Sequence, residues 1–361
     1  MLMAAVKALK IVKYSVFIEL IRLLVALISA ILLFGLKFGS DAIAFSYVFG
    51  YFVTFCMAII IYRRVVPLVD ETQTEAIPVR KLLKFSLPIS LSHGIFYTNE
   101  RTEVFFLGLF SSSVNVGIYR VAWSLAGLET IIRSSLQEIL GPFSAELIFR
   151  KEIKQLEVLY KTTAKWAFTG ALILFLMYAL FGKTILSLLD PTYVTTGLGI
   201  LIVLGLAQLF NEITGACETI LTMSGRSDLA LMNTIILFAL SITLDLIFIP
   251  RYGLMGAGVA GGLTVIAINI LQVVELWLLH KIHPFKWSFL KPVIASFVAS
   301  GIILVLRQFV DTTAFWMDLL YVLIFVTAFV FTLIRQKFDA EDDLVINALK
   351  KKLVGLRAVG R

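Results

Sequence analysis

Apolar runs about twenty residues long recur along the whole chain, separated by short polar stretches. A bilayer core about 30 Å thick needs about 20 mostly apolar helical residues, and residues 42–62, 191–211 and 252–274 contain no Asp, Glu, Lys or Arg at all. Hydropathy places membrane helices near 17–36, 42–62, 85–110, 115–140, 166–182, 195–221, 229–249, 254–279, 290–307 and 317–334. The runs do not alternate over about ten residues as barrel strands would, so the pattern predicts an all-α membrane protein of about ten spans.

Composition agrees. Of 361 residues, 59% are hydrophobic and 16% charged, against roughly 45–50% and 25% in soluble domains. The mean hydropathy is +0.94, so much of the apolar surface faces lipid rather than a core. A net charge of +8 in a soluble chain would suggest nucleic acid; here topology accounts for it. With the first segment on the cytoplasmic side, twenty-four of the 32 Lys and Arg gather on that side, leaving only Lys37, Lys183, Arg251 and Arg307 opposite and Arg22, Arg101, Arg120 and Arg133 inside spans. Both termini are therefore expected in the cytoplasm, in a multi-pass plasma-membrane protein. Trp166, Trp277, Trp287 and Trp316 fall close to span ends, where amphipathic rings prefer the interface. Cys56 and Cys217, 161 residues apart within apolar runs, indicate neither a disulfide framework nor a metal site, and no removable signal peptide is read at the start.

The longest polar connection, residues 63–84, separates two helices from eight. Past Arg335, Val345, Ile346, Leu349, Leu353 and Leu356 share one helical face, predicting a surface-lying tail helix.

The stretch TEVFFLGLFSSSVNVGIYRVAWSL (102–125), followed in order by GPFSAEL (141–147), GACETILTMSGR (215–226) and IPRYGLMGAGVAGG (249–262), resembles the oligosaccharide and polysaccharide flippases of the multidrug/oligosaccharidyl-lipid/polysaccharide exporter superfamily. Together the likeness covers roughly residues 80–336. It implies a MATE-like architecture: residues 1–62 as a two-helix remnant of an N-terminal lobe, 63–84 as a cytoplasmic linker, 85–281 as a six-helix C-terminal lobe, 282–336 as two additional helices and 337–361 as a cytoplasmic tail. Family members usually have twelve to fourteen spans. By this alignment Met1 falls at the end of the family's fourth, which implies a truncated gene, a misassigned start or an incomplete chain.

Ionisable groups inside a bilayer are costly unless they face a cavity or a partner, so each is a functional candidate. In NERTE, Asn99 and Glu103 are four apart and Glu100 and Glu103 three apart, which places them on one face of a helix while Arg101 projects elsewhere. The resemblance sets Glu103 where the family often has an acidic residue; Glu100, Glu103 and Glu218 are the candidates for coupling to Na⁺ or H⁺, with an internal ion pair as the other reading. Arg120 lies near the outer end of the next span. Deeper, Glu129, Arg133 and Gln137, spaced four apart, make a polar stripe, in which Glu129 and Arg133 are able to neutralise each other. A lipid-linked diphosphate needs guanidinium forks, making Arg101, Arg120 and Arg133 the headgroup candidates. Gln208, Asn211, Glu212, Gly215, Glu218 and Thr219 line one side of 195–221; Asn211 and Glu212, with Asn99, suit sugar hydroxyls or, alternatively, interhelical hydrogen bonds. Asn233, Ser241, Asp245, Asn269, Gln272 and Glu275 read as helix-to-helix glue, and Gly258 and Gly262 as a close-packing pair. Glu19 and Arg22 are spaced to pair.

The chain carries no GxxxxGK[ST], HExxH or Ser-His-Asp set and no cofactor motif. The expectation is a transporter rather than an enzyme: a flippase for a lipid-linked oligosaccharide, with membrane lipids and glycan-assembly proteins as partners and no nucleic acid. A multidrug or small-metabolite exporter, and an inactive or partner-completed membrane scaffold, are the alternatives.

Overall fold

The computed structural model describes residues 13–36, 38–39, 41–65, 79–309, 315–336, 339 and 342, and these contain helices and turns but no strand. The helices are α1 Lys13–Gly35, α2 Asp41–Val65, α3 Val79–Asn99, α4 Thr102–Phe110, α5 Ser113–Gly127, α6 Thr130–Phe149, α7 Ile153–Leu189, α8 Tyr193–Thr214, α9 Cys217–Met223, α10 Ser227–His280, α11 Leu290–Phe309 and α12 Phe315–Arg335, with a 3₁₀ turn at Trp287–Phe289. All ten apolar runs of the sequence fall mainly on helix, three of them (85–110, 115–140 and 195–221) interrupted by turns. Six of the helices are individually long and apolar enough to cross a bilayer. At about 1.5 Å per residue, the 54 residues of α10 have the length for two crossings, and Gly253 (φ 55°, ψ −128°), three residues past Pro250, interrupts it between the two. The chain is an all-α membrane protein.

The contacts divide the described residues into two compact units, 13–65 and 79–342. In the first, α1 and α2 form a hairpin. Gly50 lets the helices touch, since a Cβ there would lie 3.2 Å from the carbonyl of Arg22. Arg22 donates to the hydroxyl of Tyr51 at 3.2 Å and its guanidinium lies over that ring; the side chain of Glu19 is outside the described residues.

Among the described residues, the second unit has three large apolar centres and a small fourth one at Leu136 and Ala167. Leu107, Tyr119, Tyr178, Leu201, Leu204 and Ala257 join α4, α5, α7, α8 and α10. Leu140, Leu156, Tyr160, Ile220 and Leu276 join α6, α7, α9 and α10. Phe168, Phe181, Ala295, Ala299, Phe325 and Phe329 fasten α11 and α12 to α7. Outward-facing Phe297, Leu323 and Phe331 are more than half exposed, the arrangement expected of a bundle solvated by lipid tails.

Three boundaries differ from those read along the sequence. The polar connection is shorter than 63–84: α2 runs to Val65 and α3 begins at Val79, so Arg80, Lys81 and Lys84 are helical, as good helix formers without Gly or Pro can be. The charged stretch before Trp166 is helical as well, since α7 starts at Ile153 and continues unbroken into the apolar run. The spans 85–110 and 115–140 are each broken. Arg101 N–H turns back to Thr98 O, and Glu129 N–H to Ala126 O, tight turns that shift the helical register. The predicted tail helix lies outside the described residues.

Candidate functional site

The break after α3 decides where the NERTE cluster points. Thr102 and Glu103 are buried, Asn99 and Glu100 half-buried and Arg101 exposed. A single continuous face carrying Asn99, Glu100 and Glu103 is therefore not what forms, because the turn at Glu100 and Arg101 resets the spacing. The Thr102 hydroxyl lies 2.7 Å from Asn99 O, 3.4 Å from Glu103 Oε2 and 3.2 Å from the Ser241 hydroxyl of α10.

Around Glu103 the helices α4, α5 and α10 bring together a buried acidic cluster. Asp245, one turn beyond Ser241, is fully buried beside the hydroxyls of Thr102 and Ser241. The Tyr119 hydroxyl is also buried and unbonded there. Gly261 makes room for both acid and phenol: a Cβ on it would lie 3.4 Å from Tyr119 Oη and 3.5 Å from Glu103 Oε1. Two carboxyl groups, a phenol and two hydroxyls converge with no basic side chain paired to them among the described residues, a hard-oxygen set with the chemistry to hold a proton or a small cation. From sequence, Asp245 read as helix glue; its one signal was the Ser241–Asp245 spacing, and only the fold sets it opposite Glu103.

A second polar cluster joins α6 and α8. Arg133 does not neutralise Glu129, one turn away on its own strand of sequence. Its Nε instead donates to Glu212 Oε1 across the interface at 2.9 Å, with Glu212 completely buried. The tight turn at Glu129 explains the change: Glu129 stands at the very start of α6 and packs toward α8, where a Cβ on Gly205 would come within 3.0 Å of its Oε1. Both Glu129 oxygens and Glu212 Oε2 are buried without hydrogen bonds among the described residues. Glu218, at the first turn of α9 and exposed, is close enough to Arg133 to feel its charge.

The chain between α8 and α9 turns at Gly215 (φ 71°), and neighbouring side chains satisfy the interrupted backbone. Tyr160 Oη donates to the freed Thr214 carbonyl at 2.6 Å, and Thr214 Oγ1 donates to Asn269 Oδ1 at 2.6 Å. Asn211 Nδ2 donates to Gln208 Oε1 at 3.0 Å, so this amide is engaged along its own helix. Asn233 donates to Glu275 at 2.6 Å, a helix-to-helix bond of the expected kind, and Gly258 and Gly262 face Ile200, Val203 and Ala207 of α8. Arg101 and Arg120 are exposed and form no ion pair among the described residues. Of the three arginines, Arg133 alone is brought into a polar interior.

A family profile described as "Polysaccharide biosynthesis protein" matches residues 7–193, 187 of the 361. The chain is 23% identical over 186 residues to a probable low-salt glycan biosynthesis flippase, Agl15, of Haloferax volcanii, a match covering 52% of this chain and 39% of that protein. In fold it is similar to the lipid II flippase MurJ in an inward closed conformation, with a TM-score of 0.62, 15% identity, and coverage of 85% of this chain and 65% of that one. An outward-facing multidrug transporter of the MATE family matches more loosely, with a TM-score of 0.40. The chain thus spans less than half the length of the Haloferax flippase and about two thirds of MurJ.

Proposed function

Because the chain belongs to the polysaccharide biosynthesis protein family, we propose that it takes part in moving a lipid-linked oligosaccharide or polysaccharide repeat unit across the plasma membrane by alternating access. Both termini face the cytoplasm in this reading, and residues 85–281 serve as the six-helix lobe with 282–336 as two added helices. The observation that carries it is the pair of buried polar clusters in a bundle otherwise built of Leu, Ile, Val and Phe. Burying carboxyl and guanidinium groups costs several kcal/mol unless they are used.

Arg133 is the group suited to the phosphates, and Glu212 holds its place until substrate arrives. A diphosphate offers the same bidentate acceptor geometry as the carboxylate and more charge, so it can compete for the guanidinium. Arg101 and Arg120, free of ion pairs among the described residues, offer peripheral cations along the way. The Glu103–Asp245–Tyr119 cluster suits a coupling Na⁺ or H⁺. Such an ion drives transport only by binding one conformation better than the other.

The test is made in the source cell. Replacing the chromosomal gene by an Arg133→Gln variant expressed at the wild-type level should leave lipid-linked glycan accessible only from the cytoplasmic face and reduce surface glycan at least tenfold. Normal surface glycan with normal protein level would refute the reading.

A further inference from the structure

Glu129 is a completely buried carboxyl group that the transport reading leaves without a task. A Cβ on Gly205 of α8 would lie 3.0 Å from its Oε1, 3.2 Å from Phe175 Cδ2 and 3.5 Å from Tyr178 Cδ2, so the missing side chain is what admits the acid beside two aromatic rings of α7. Neither Glu129 oxygen is hydrogen-bonded among the described residues. The Tyr178 hydroxyl gives its proton to Leu125 O of α5 at 2.5 Å and so does not serve the carboxyl. An ionised carboxylate buried with no donor and no bonded cation costs far more than the neutral acid. Glu129 is therefore the neutral acid.

Two turns further along α8, on the same face as Gly205, stands Glu212. It too is completely buried, and Glu129 is close enough to feel its charge. Arg133 bonds Glu212 through Nε at 2.9 Å, and its side chain is still 21% exposed. One guanidinium thus balances one of two buried carboxyl groups, and the cluster is neutral only with a proton on the other. The further charged or titratable groups nearby are exposed: Glu218 of α9 is close to Arg133, and His93 of α3 is close to Glu218.

An anion arriving at the open end of Arg133 upsets that balance. Whether it displaces Glu212 or binds beside it, a phosphate adds negative charge next to a carboxylate that water does not reach. Like charges held that close in a low-dielectric interior do not both stay ionised. Glu212 Oε2, buried and without a hydrogen bond among the described residues, is the atom open to a proton.

We propose that Glu129 and Glu212 form a proton site coupled to anion binding at Arg133: the two carboxyl groups hold one proton while Arg133 is bonded to Glu212, and two once a phosphate occupies the guanidinium. The second proton is taken from water and given back when Arg133 returns to Glu212. The inference rests on the reading of Arg133 as the phosphate-binding group and adds its regulation, since anion and proton bind together and the affinity for a phosphorylated lipid rises as pH falls.

Infrared difference spectroscopy of the purified chain reads the protonated carboxyl stretch directly. Wild type minus Glu129→Gln at neutral pH should show one carboxylic acid band, and an unchanged acid region overturns the proposal. Arg133→Gln removes the positive charge that an arriving anion would cancel. It should gain a second acid band that Arg133→Gln with Glu212→Gln lacks, and no gain overturns the proposal without any ligand. The coupling is read by calorimetry with farnesyl diphosphate in buffers of different ionisation heat. Wild type should take up about one more proton per bound ligand than Glu212→Gln, and its affinity should fall by up to about tenfold per pH unit; equal uptake in the two chains overturns the coupling. If Glu212→Gln does not fold, the second acid band appearing in wild type on addition of farnesyl diphosphate decides, and its absence at saturation counts against the proposal. Failure of wild type to bind farnesyl diphosphate at all overturns the coupling. Normal surface glycan in Arg133→Gln cells, by contrast, refutes the transport reading and leaves the infrared bands as they are.

Discussion

At the scale of single residues, the charge that matters is settled by which helix a side chain reaches. Arg133 and Glu129 are four apart and looked like a self-neutralising pair, yet the guanidinium bonds Glu212 on α8. Removing one partner of a buried pair strands the other. Glu212→Gln is expected to destabilise the folded chain by about 3 kcal/mol, whereas Glu212→Gln with Arg133→Gln should recover more than half of that loss. A denaturation cycle over the four variants reads the coupling, and simple additivity would contradict a direct pair. Asp245 behaves oppositely, because among the described residues it has no ion-pair partner to strand. Asp245→Asn should leave stability in Na⁺-free buffer unchanged or raised, while erasing any Na⁺-dependent rise in Tm seen in wild type; by linkage, saturation to about 100 times Kd corresponds to about 2.7 kcal/mol. A Na⁺ response retained in this variant would place the coupling ion elsewhere.

At the scale of elements, the breaks are what aim the polar groups. A residue that is polar within an apolar run announces itself in the sequence, but the tight turns at Arg101 and Glu129 hardly do: the first contains neither Pro nor Gly, and the second only Gly127. This is why the NERTE residues do not share the single face that their spacing predicts. The turn at Gly215 is different: its φ of 71° and ψ of −152° belong to a region that only glycine occupies comfortably, and a Cβ there would meet Ala164 Cβ at 2.8 Å. Gly215→Ala should therefore cost about 1–3 kcal/mol of backbone strain before the clash is added. A lowered Tm with loss of the Tyr160–Thr214 contact, detected as increased alkylation of the adjacent Cys217, is the expected outcome. A fully stable variant would show the turn to be adaptable.

At the scale of the whole molecule, long apolar helices supply the body and a few ionic fastenings fix where they end. The cleft that holds Asp339 and Asp342 ties α11 and α12 to α7 at one end. Since the folded-state value for Asp339 is depressed below its ordinary 3.8 to about 2, the stability it adds is fully present above about pH 4. It disappears as the pH falls through about 2. Tm should accordingly be insensitive to this group between pH 5 and 8 and fall between pH 4 and 2, and Asp339→Asn should flatten that acid limb. An acid limb identical in the variant would mean the carboxylate contributes nothing.

The all-α membrane class, the ten apolar runs and the identity of Arg133, Glu103 and Glu212 as unusual were all legible along the chain, because hydropathy and intramembrane charge are local properties priced by the bilayer. Which acid meets which base was not. Asp245 faces Glu103 across 142 positions, Glu212 meets Arg133 across 79, and Asp339 reaches Lys165 across 174. Those pairings depend on helix breaks and interhelical packing, where a turn of a single residue redirects a side chain by about 100°, and such an angle is decided only when the helices come together.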